Sequence, residues 1–198
     1  GVTSGGGWSP GGAGLGGRVA VVVGATRGIG LAVSYALAGQ GVSVVVNGRD
    51  GQAVDDTVAE IRGGGGYAVG VRGSAGDDGV AQAMVEAALA EFGALDIAIN
   101  CAGIAEPPGS TVLTIASDEF REQIDAHLMS AFHLLQAAGR VFVEQGSGSV
   151  VLTGSAASLG MFGGSGYPAA KGGVNALALA AAADLRDHHV RVNVVMPG

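Results

Sequence analysis

Tyr167 and Lys171 stand four residues apart. In a helix that spacing places both side chains on one face. A phenol ionises near pH ~10 and by itself is a poor proton donor or acceptor at neutral pH. A neighbouring ammonium favours the phenolate, so the pair suits acid–base work at a carbonyl or an alcohol. Ser155 adds a hydroxyl that can hydrogen-bond a substrate oxygen and stabilise developing charge. Pro168 has no amide hydrogen and is tolerated in a first helical turn, so Tyr167 is expected near a helix start. A second constellation lies upstream, in Gly24-Ala25-Thr26-Arg27-Gly28-Ile29-Gly30. Glycines there let backbone approach a pyrophosphate, and a following helix offers unpaired N–H groups and partial positive charge. A plain tight turn explains a lone glycine pattern equally well. Its place after the first strand of a strand–helix series favours dinucleotide binding.

The elements that must position these residues are legible as alternating apolar runs and helical stretches. Strands are expected at 18–23, 42–46, 67–71, 95–100, 149–153 and 190–195. Helices are expected at 31–38, 50–62, 80–92 and 167–186, with a long one from Ser117, as cap, toward Glu144. This alternation predicts an α/β fold: a doubly wound parallel Rossmann sheet of six strands with helices on both faces. The domain spans residues 18–198, preceded by a flexible glycine-rich tail at 1–17.

Composition removes several classes of function. At 198 residues, with 48% hydrophobic and 14% charged residues, the chain can bury one sizeable core. Its 38 glycines have no three-residue period, which excludes collagen. A net charge of −7 argues against nucleic acid as a partner. One cysteine cannot form an internal disulfide, and no cluster has zinc spacing. No apolar run reaches the ~20 residues of a membrane span. A soluble, cytoplasmic protein that does not engage membranes is the expectation. Cys101 is expected to be a buried small residue, and His188-His189 a cationic helix end without metal.

Taken together, the motifs resemble the short-chain dehydrogenase/reductase family, and its 3-oxoacyl-ACP reductases in particular. The glycine turn is Gly-x-x-x-Gly-x-Gly; Asn100-Cys101-Ala102-Gly103 is similar to the family's Asn-Asn-Ala-Gly; Tyr167-Pro168-Ala169-Ala170-Lys171 matches Tyr-x-x-x-Lys; and Pro197-Gly198 matches Pro-Gly after strand six. The resemblance implies that Tyr167 is the acid in reduction and the base in oxidation. It implies that Lys171 tunes Tyr167 and bonds the coenzyme ribose, and that Ser155 orients the carbonyl. Coenzyme contacts are implied for Gly24, Thr26, Arg27, Gly28, Ile29, Gly30, Arg49, Asn100, Ala102, Gly103, Tyr167, Lys171, Pro197 and Gly198. The position of the family's ribose-binding acid is Gly48, and Arg27 and Arg49 suit a 2′-phosphate, so NADP(H) is favoured. Asp50 keeps NAD(H) open.

Four departures accompany the resemblance. Val23 stands for a threonine, Ser74 for an aspartate near the adenine, and His127 for an asparagine that serves a proton-relay water. His127 is therefore a candidate catalytic residue, with a pKa range suited to proton transfer; some family members that act on hydroxyacyl thioesters resemble this variant. Fourth, the family's segment after Pro-Gly, with its substrate loop, helices and seventh strand, does not follow in this sequence. Weak substrate binding and poor stability are expected of these 198 residues alone. The expected activity is NADP(H)-dependent interconversion of a small-molecule carbonyl and a secondary alcohol, with 3-oxoacyl thioesters as the foremost subtype. The rivals are an NAD-dependent hydroxyacyl or hydroxysteroid dehydrogenase and a truncated nucleotide-binding module without turnover. The alanine-rich 176–183 stretch is expected to join a homo-oligomer interface, as a dimer or tetramer.

Overall fold

The computed structural model describes residues 14–160 and 164–197. Strands and helices alternate from the start: β1 (Val19–Val23), α1 (Gly28–Ala38), β2 (Ser43–Gly48), α2 (Gly51–Gly63), β3 (Ala68–Arg72), α3 (Asp78–Phe92) and β4 (Ile97–Asn100). A long helical rod follows, made of α4 (Ser117–Gln123), a π-helical segment (Ile124–Met129) and α5 (Ser130–Gln145). Then come β5 (Gly148–Thr153), a short 3-10 turn (Ala156–Leu159), α6 (Gly166–Leu185), a second 3-10 turn (Arg186–His188) and β6 (Val190–Val195). The six strands form one parallel sheet in the order β3-β2-β1-β4-β5-β6. The chain winds outward from β1 to β3 and then returns to β4 beside β1. That reversal opens a crevice at the carboxyl ends of β1 and β4.

β1 is buried at all five positions, as a central strand covered on both faces must be. Its residues alternate between two cores. Val19, Val21 and Val23 pack with Met84 of α3, Leu134 and Phe142 of α5 and Val174 of α6. Ala20 and Val22 pack with Leu37 of α1 and Val54 and Ile61 of α2. Helices therefore lie on both faces, as the alternation of elements predicts.

Local chemistry moves several boundaries. α2 is capped by Asp50, whose carboxylate accepts the N–H groups of Gln52 at 2.9 Å and Ala53 at 3.4 Å. Ser117 is not the cap of α4; Ala116 holds that position. The Glu119 carboxylate reaches back to accept the Ala116 N–H at 3.1 Å, the carboxylate half of a capping box. The expected single helix from Ser117 is interrupted by the π segment around His127. Order also starts before Arg18: Leu15 packs on the α1/α2 core, and the Gly17 N–H donates to the Gly41 carbonyl at 2.9 Å. The rest of the expected tail, residues 1–13, lies outside the described residues.

Phe142 is fully buried, its ring lying against the backbone of Gly148, where any Cβ would collide with it. It joins α5 to the start of β5. Replacing Phe142 by Ala is expected to lower the unfolding free energy by about 3–5 kcal/mol. Denaturant titration of the two proteins measures this, and a difference below about 1 kcal/mol would mean the ring contributes little to the core.

Candidate active site

The glycine turn between β1 and α1 faces a cavity of 560 Å³ at the crevice. Gly24 has φ +70, and a Cβ on it would stand 2.8 Å from the backbone of Ala102. Gly30 sits directly on the Gly24 carbonyl, with no space for a side chain. Backbone thus approaches backbone where β1 and β4 end. α1 begins without a side-chain cap and without an acid in its first turn. Its free N–H groups and positive end are left for an external anion. An apposed glycine cradle and an uncapped helix start fit the pyrophosphate of a dinucleotide.

Buried Asn47, at the end of β2, holds this turn in place. Its carbonyl oxygen accepts the Ala25 N–H at 2.8 Å, and its side-chain oxygen accepts the Gly24 N–H at 3.4 Å. Its amide donates to the carbonyls of Val71 at 3.0 Å and Gly73 at 3.2 Å. Beside it, a Cβ on Gly48 would lie 2.6 Å from Thr26 Cγ2, so a side chain there would have to displace Thr26. Arg27 and Arg49 line the same cavity and are exposed.

At the end of β4, buried Asn100 folds the next turn around itself. Its side-chain oxygen accepts the Ala102 N–H at 2.9 Å, and its amide donates to Ser130 Oγ at 3.1 Å. The Ser130 hydroxyl reaches the carbonyls of Ala126 at 2.8 Å and His127 at 3.1 Å, inside the π segment. That widened turn carries the His127 ring toward the β4 loop. His127 Nε2 lies 3.0 Å from the Ile104 carbonyl and 3.3 Å from its N–H. Nδ1 is buried with no protein partner among the described residues. Burial, helped by the Lys171 charge and only partly opposed by the Ile104 bond, lowers the His127 pKa from 6.5 to about 4. The imidazole is therefore neutral at pH 7, which departs from the titration range expected of an ordinary histidine.

α6 brings the tyrosine and lysine to the same place. Tyr167 lies in the first turn, with Pro168 just after it, as the missing proline amide hydrogen requires. The Tyr167 and His127 rings meet edge to face, their centroids 4.9 Å apart. Lys171 is 4% exposed, and its ammonium donates to the Thr153 carbonyl at 2.6 Å and stands 5.7 Å over the Tyr167 ring. Burial pulls its pKa down from 10.5 to about 8. Ser155, just past β5, accepts the Ala157 N–H on its hydroxyl oxygen at 3.1 Å, which leaves the hydroxyl hydrogen available to a substrate oxygen.

The short chain dehydrogenase family model matches residues 18–198. The chain belongs to the short-chain dehydrogenase family. It is 39% identical to a short-chain reductase, NovJ, of Streptomyces niveus over 91% of this chain and 68% of that protein. It is 34% identical to a 3-oxoacyl-[acyl-carrier-protein] reductase of a Synechocystis species over 91% of this chain and 73% of that one. Among solved structures, a metagenomic short-chain oxidoreductase in complex with NADP superposes with a TM-score of 0.86 at 33% identity, covering 93% of this chain and 83% of that one. Like its family, the chain is an oxidoreductase that acts on CH–OH or C=O groups of small molecules with NAD(P).

Within this short-chain dehydrogenase, Gly24, Thr26, Arg27, Gly28, Ile29, Arg49, Ala102 and Gly103 line the 560 Å³ cavity. Gly30 and Asn100 stand behind it as packing and hydrogen-bonding supports. Tyr167, Lys171 and His127 cluster together on α6 and the π segment. Pro197 is tied to the Ser155 turn, its carbonyl accepting the Ala156 N–H at 3.3 Å. Gly198 lies outside the described residues. Cys101 is partly buried, and burial raises its thiol pKa, which suits a packing residue over a nucleophile. No group of three or more possible metal ligands occurs among the described residues, and none of their helices is long and apolar enough to cross a membrane. Sequence reasoning missed Asn47 and the π segment. A polar residue ending an otherwise apolar strand was the available signal for Asn47; helical spacing carries none for the extra residue of a π turn.

His127 supplies a pH test. Its folded pKa of about 4 lies below the ordinary 6.5, so the unfolded chain binds the extra proton first. Stability is expected to fall as pH drops from 6.5 to 4, by about 3 kcal/mol for this group. His127→Gln should flatten that part of the curve in denaturant titrations at several pH values. Parallel curves for the two proteins would contradict the assigned burial.

Proposed function

We propose that the chain interconverts a carbonyl and a secondary alcohol with NADP(H), using Tyr167 as the acid–base group. The observation that carries this reading is the meeting of Tyr167 with buried Lys171, whose ammonium is held at the carboxyl end of β5 by the Thr153 carbonyl. In reduction, the Tyr167 hydroxyl gives its proton to the carbonyl oxygen as negative charge develops there; in oxidation it takes the alcohol proton. The Lys171 ammonium favours negative charge on the phenol oxygen, and with one of its three hydrogens on Thr153 it has two left for ribose or solvent. The Ser155 hydroxyl donates to the same substrate oxygen. His127, held neutral, orders the β4 loop and packs the tyrosine ring from the side. When bound, the nicotinamide ring supplies or accepts the hydride.

Three features support NADP(H). Gly48 offers no carboxylate to a ribose, and a Cβ there would press on the Thr26 side chain. Asp50 turns one carboxylate oxygen to the α2 amides as the cap of that helix. Arg27 and Arg49 border the cavity with guanidinium groups that make no hydrogen bond or ion pair among the described residues and suit a 2′-phosphate. An NAD-dependent hydroxyacyl or hydroxysteroid dehydrogenase is the second reading, favoured by Asp50 lying at the cavity wall. Similarity to a 3-oxoacyl-[acyl-carrier-protein] reductase makes 3-oxoacyl thioesters the first substrate class to try. Exposed Phe132 on α5 and Leu179 on α6 support a homo-oligomer, and the single cysteine fits a cytoplasmic setting.

NADPH consumption with acetoacetyl thioesters and a ketone panel tests the activity. Tyr167→Phe is expected to lower kcat by about 10²-fold or more while coenzyme affinity holds; near-normal kcat would refute the assignment. Titration of the protein with each coenzyme is expected to give the lower Kd for NADPH, and tighter NADH binding would reverse the coenzyme choice.

A further inference from the structure

α6 carries both Tyr167 and Lys171, yet nothing in its own sequence caps it. Ser165, at the cap position, makes no side-chain cap bond, and the first turn holds no acid. Pro168 removes one further amide hydrogen from that turn. The donors are met from elsewhere in the chain. Glu106, in the connection between β4 and α4, accepts the Ser165 N–H at 2.9 Å and the Gly166 N–H at 2.7 Å on a single carboxylate oxygen. A negative charge at a helix start also complements the helix dipole.

The carboxylate is itself held. Gln123, at the end of α4, donates to the carbonyl of Ala105 at 3.1 Å, fixing the residue before Glu106. Pro107 and Pro108 follow it, restricting the backbone on the other side. Gly166 packs onto the same glutamine: a Cβ there would stand 2.9 Å from Gln123 Cγ and 3.1 Å from Ile115 Cδ1. The first turn of α6 is thus pinned between Glu106 and α4, one residue before the tyrosine.

We propose that Glu106 is a positioning residue for this reaction: by closing the amino end of α6 it sets where the Tyr167 hydroxyl stands. The inference rests on Tyr167 being the acid–base group, as proposed above. Glu106 does its work through backbone amides and leaves the coenzyme cavity untouched, so its loss moves turnover and spares coenzyme binding.

The test compares Glu106→Ala, Glu106→Asp and Glu106→Gln with the parent and with Tyr167→Phe, using NADPH and an acetoacetyl thioester. Glu106→Ala is expected to lower kcat by on the order of tenfold or more, because small misplacements of a reacting group are costly in rate. The Kd for NADPH, read by fluorescence titration, should stay within about twofold, since the phosphate-binding amides belong to α1 and Lys171 is held separately by the Thr153 carbonyl. Glu106→Gln keeps a neutral acceptor of the same reach and should regain most of the lost turnover. Glu106→Asp, too short to reach both amides, should behave like the alanine variant, and it carries the test if Glu106→Ala fails to fold. Parent-like kcat in the folded alanine or aspartate variant would overturn the inference, as would kcat and NADPH affinity falling together. Should Tyr167→Phe turn over normally, the acid–base reading fails first; should it be inactive while Glu106→Asp matches the parent, only the role of Glu106 fails.

Discussion

The arrangement of this molecule turns on one buried ammonium. Lys171 lies almost wholly out of water, and its hydrogen bond to protein is to the backbone carbonyl of Thr153. Burying such a charge is unfavourable, and its lowered pKa registers that. The bond nevertheless ties α6 to the carboxyl end of β5, where a parallel sheet places its ligand crevice. Moving α6 along its axis would break that bond and leave a buried ammonium without its protein acceptor. The register of the helix, and with it the position of Tyr167, is therefore strongly constrained.

A second constraint is the absence of side chains where β1, β2 and β4 end. Gly24, Gly30 and Gly48 each occupy a place that a Cβ would block, against Ala102, the Gly24 carbonyl and Thr26 respectively. Closing these gaps brings the α1 amides within reach of an anion. Asn47 and Asn100 then supply the hydrogen bonds that the turns cannot make among themselves. Buried amides at strand ends serve here as struts, Asn47 bonding to backbone on every side and Asn100 to backbone and to Ser130.

Histidine at position 127 shows how burial changes the chemistry of a familiar residue. By type it suits proton transfer near neutrality. In place, packed against Tyr167 and tied to Ile104, it is neutral throughout the ordinary pH range. Its contribution there is shape and hydrogen bonding to the β4 loop. Reading a titratable residue by type alone misjudges it wherever desolvation outweighs the neighbouring hydrogen bond.

The alternation of β-branched runs with helical stretches determined the fold class, because such runs leave a parallel sheet covered on both faces as the stable solution. The glycine turn, Ser155 and the Tyr167–Lys171 spacing were equally legible, since each depends on residue type at short separation. Long-range closure decided the rest. Ser117 has the residue type of a cap, yet α4 is capped at Ala116, whose amide the Glu119 carboxylate accepts. The π turn that aims His127 is tied to the end of β4 through the Asn100–Ser130 link. Glu106 meets α6 only after the sheet has brought the β4 loop beside the end of β5. Periodicity describes which face of an element is apolar; which polar atoms meet across elements is set by how the helices settle on the sheet, and that information resides in the packed chain alone.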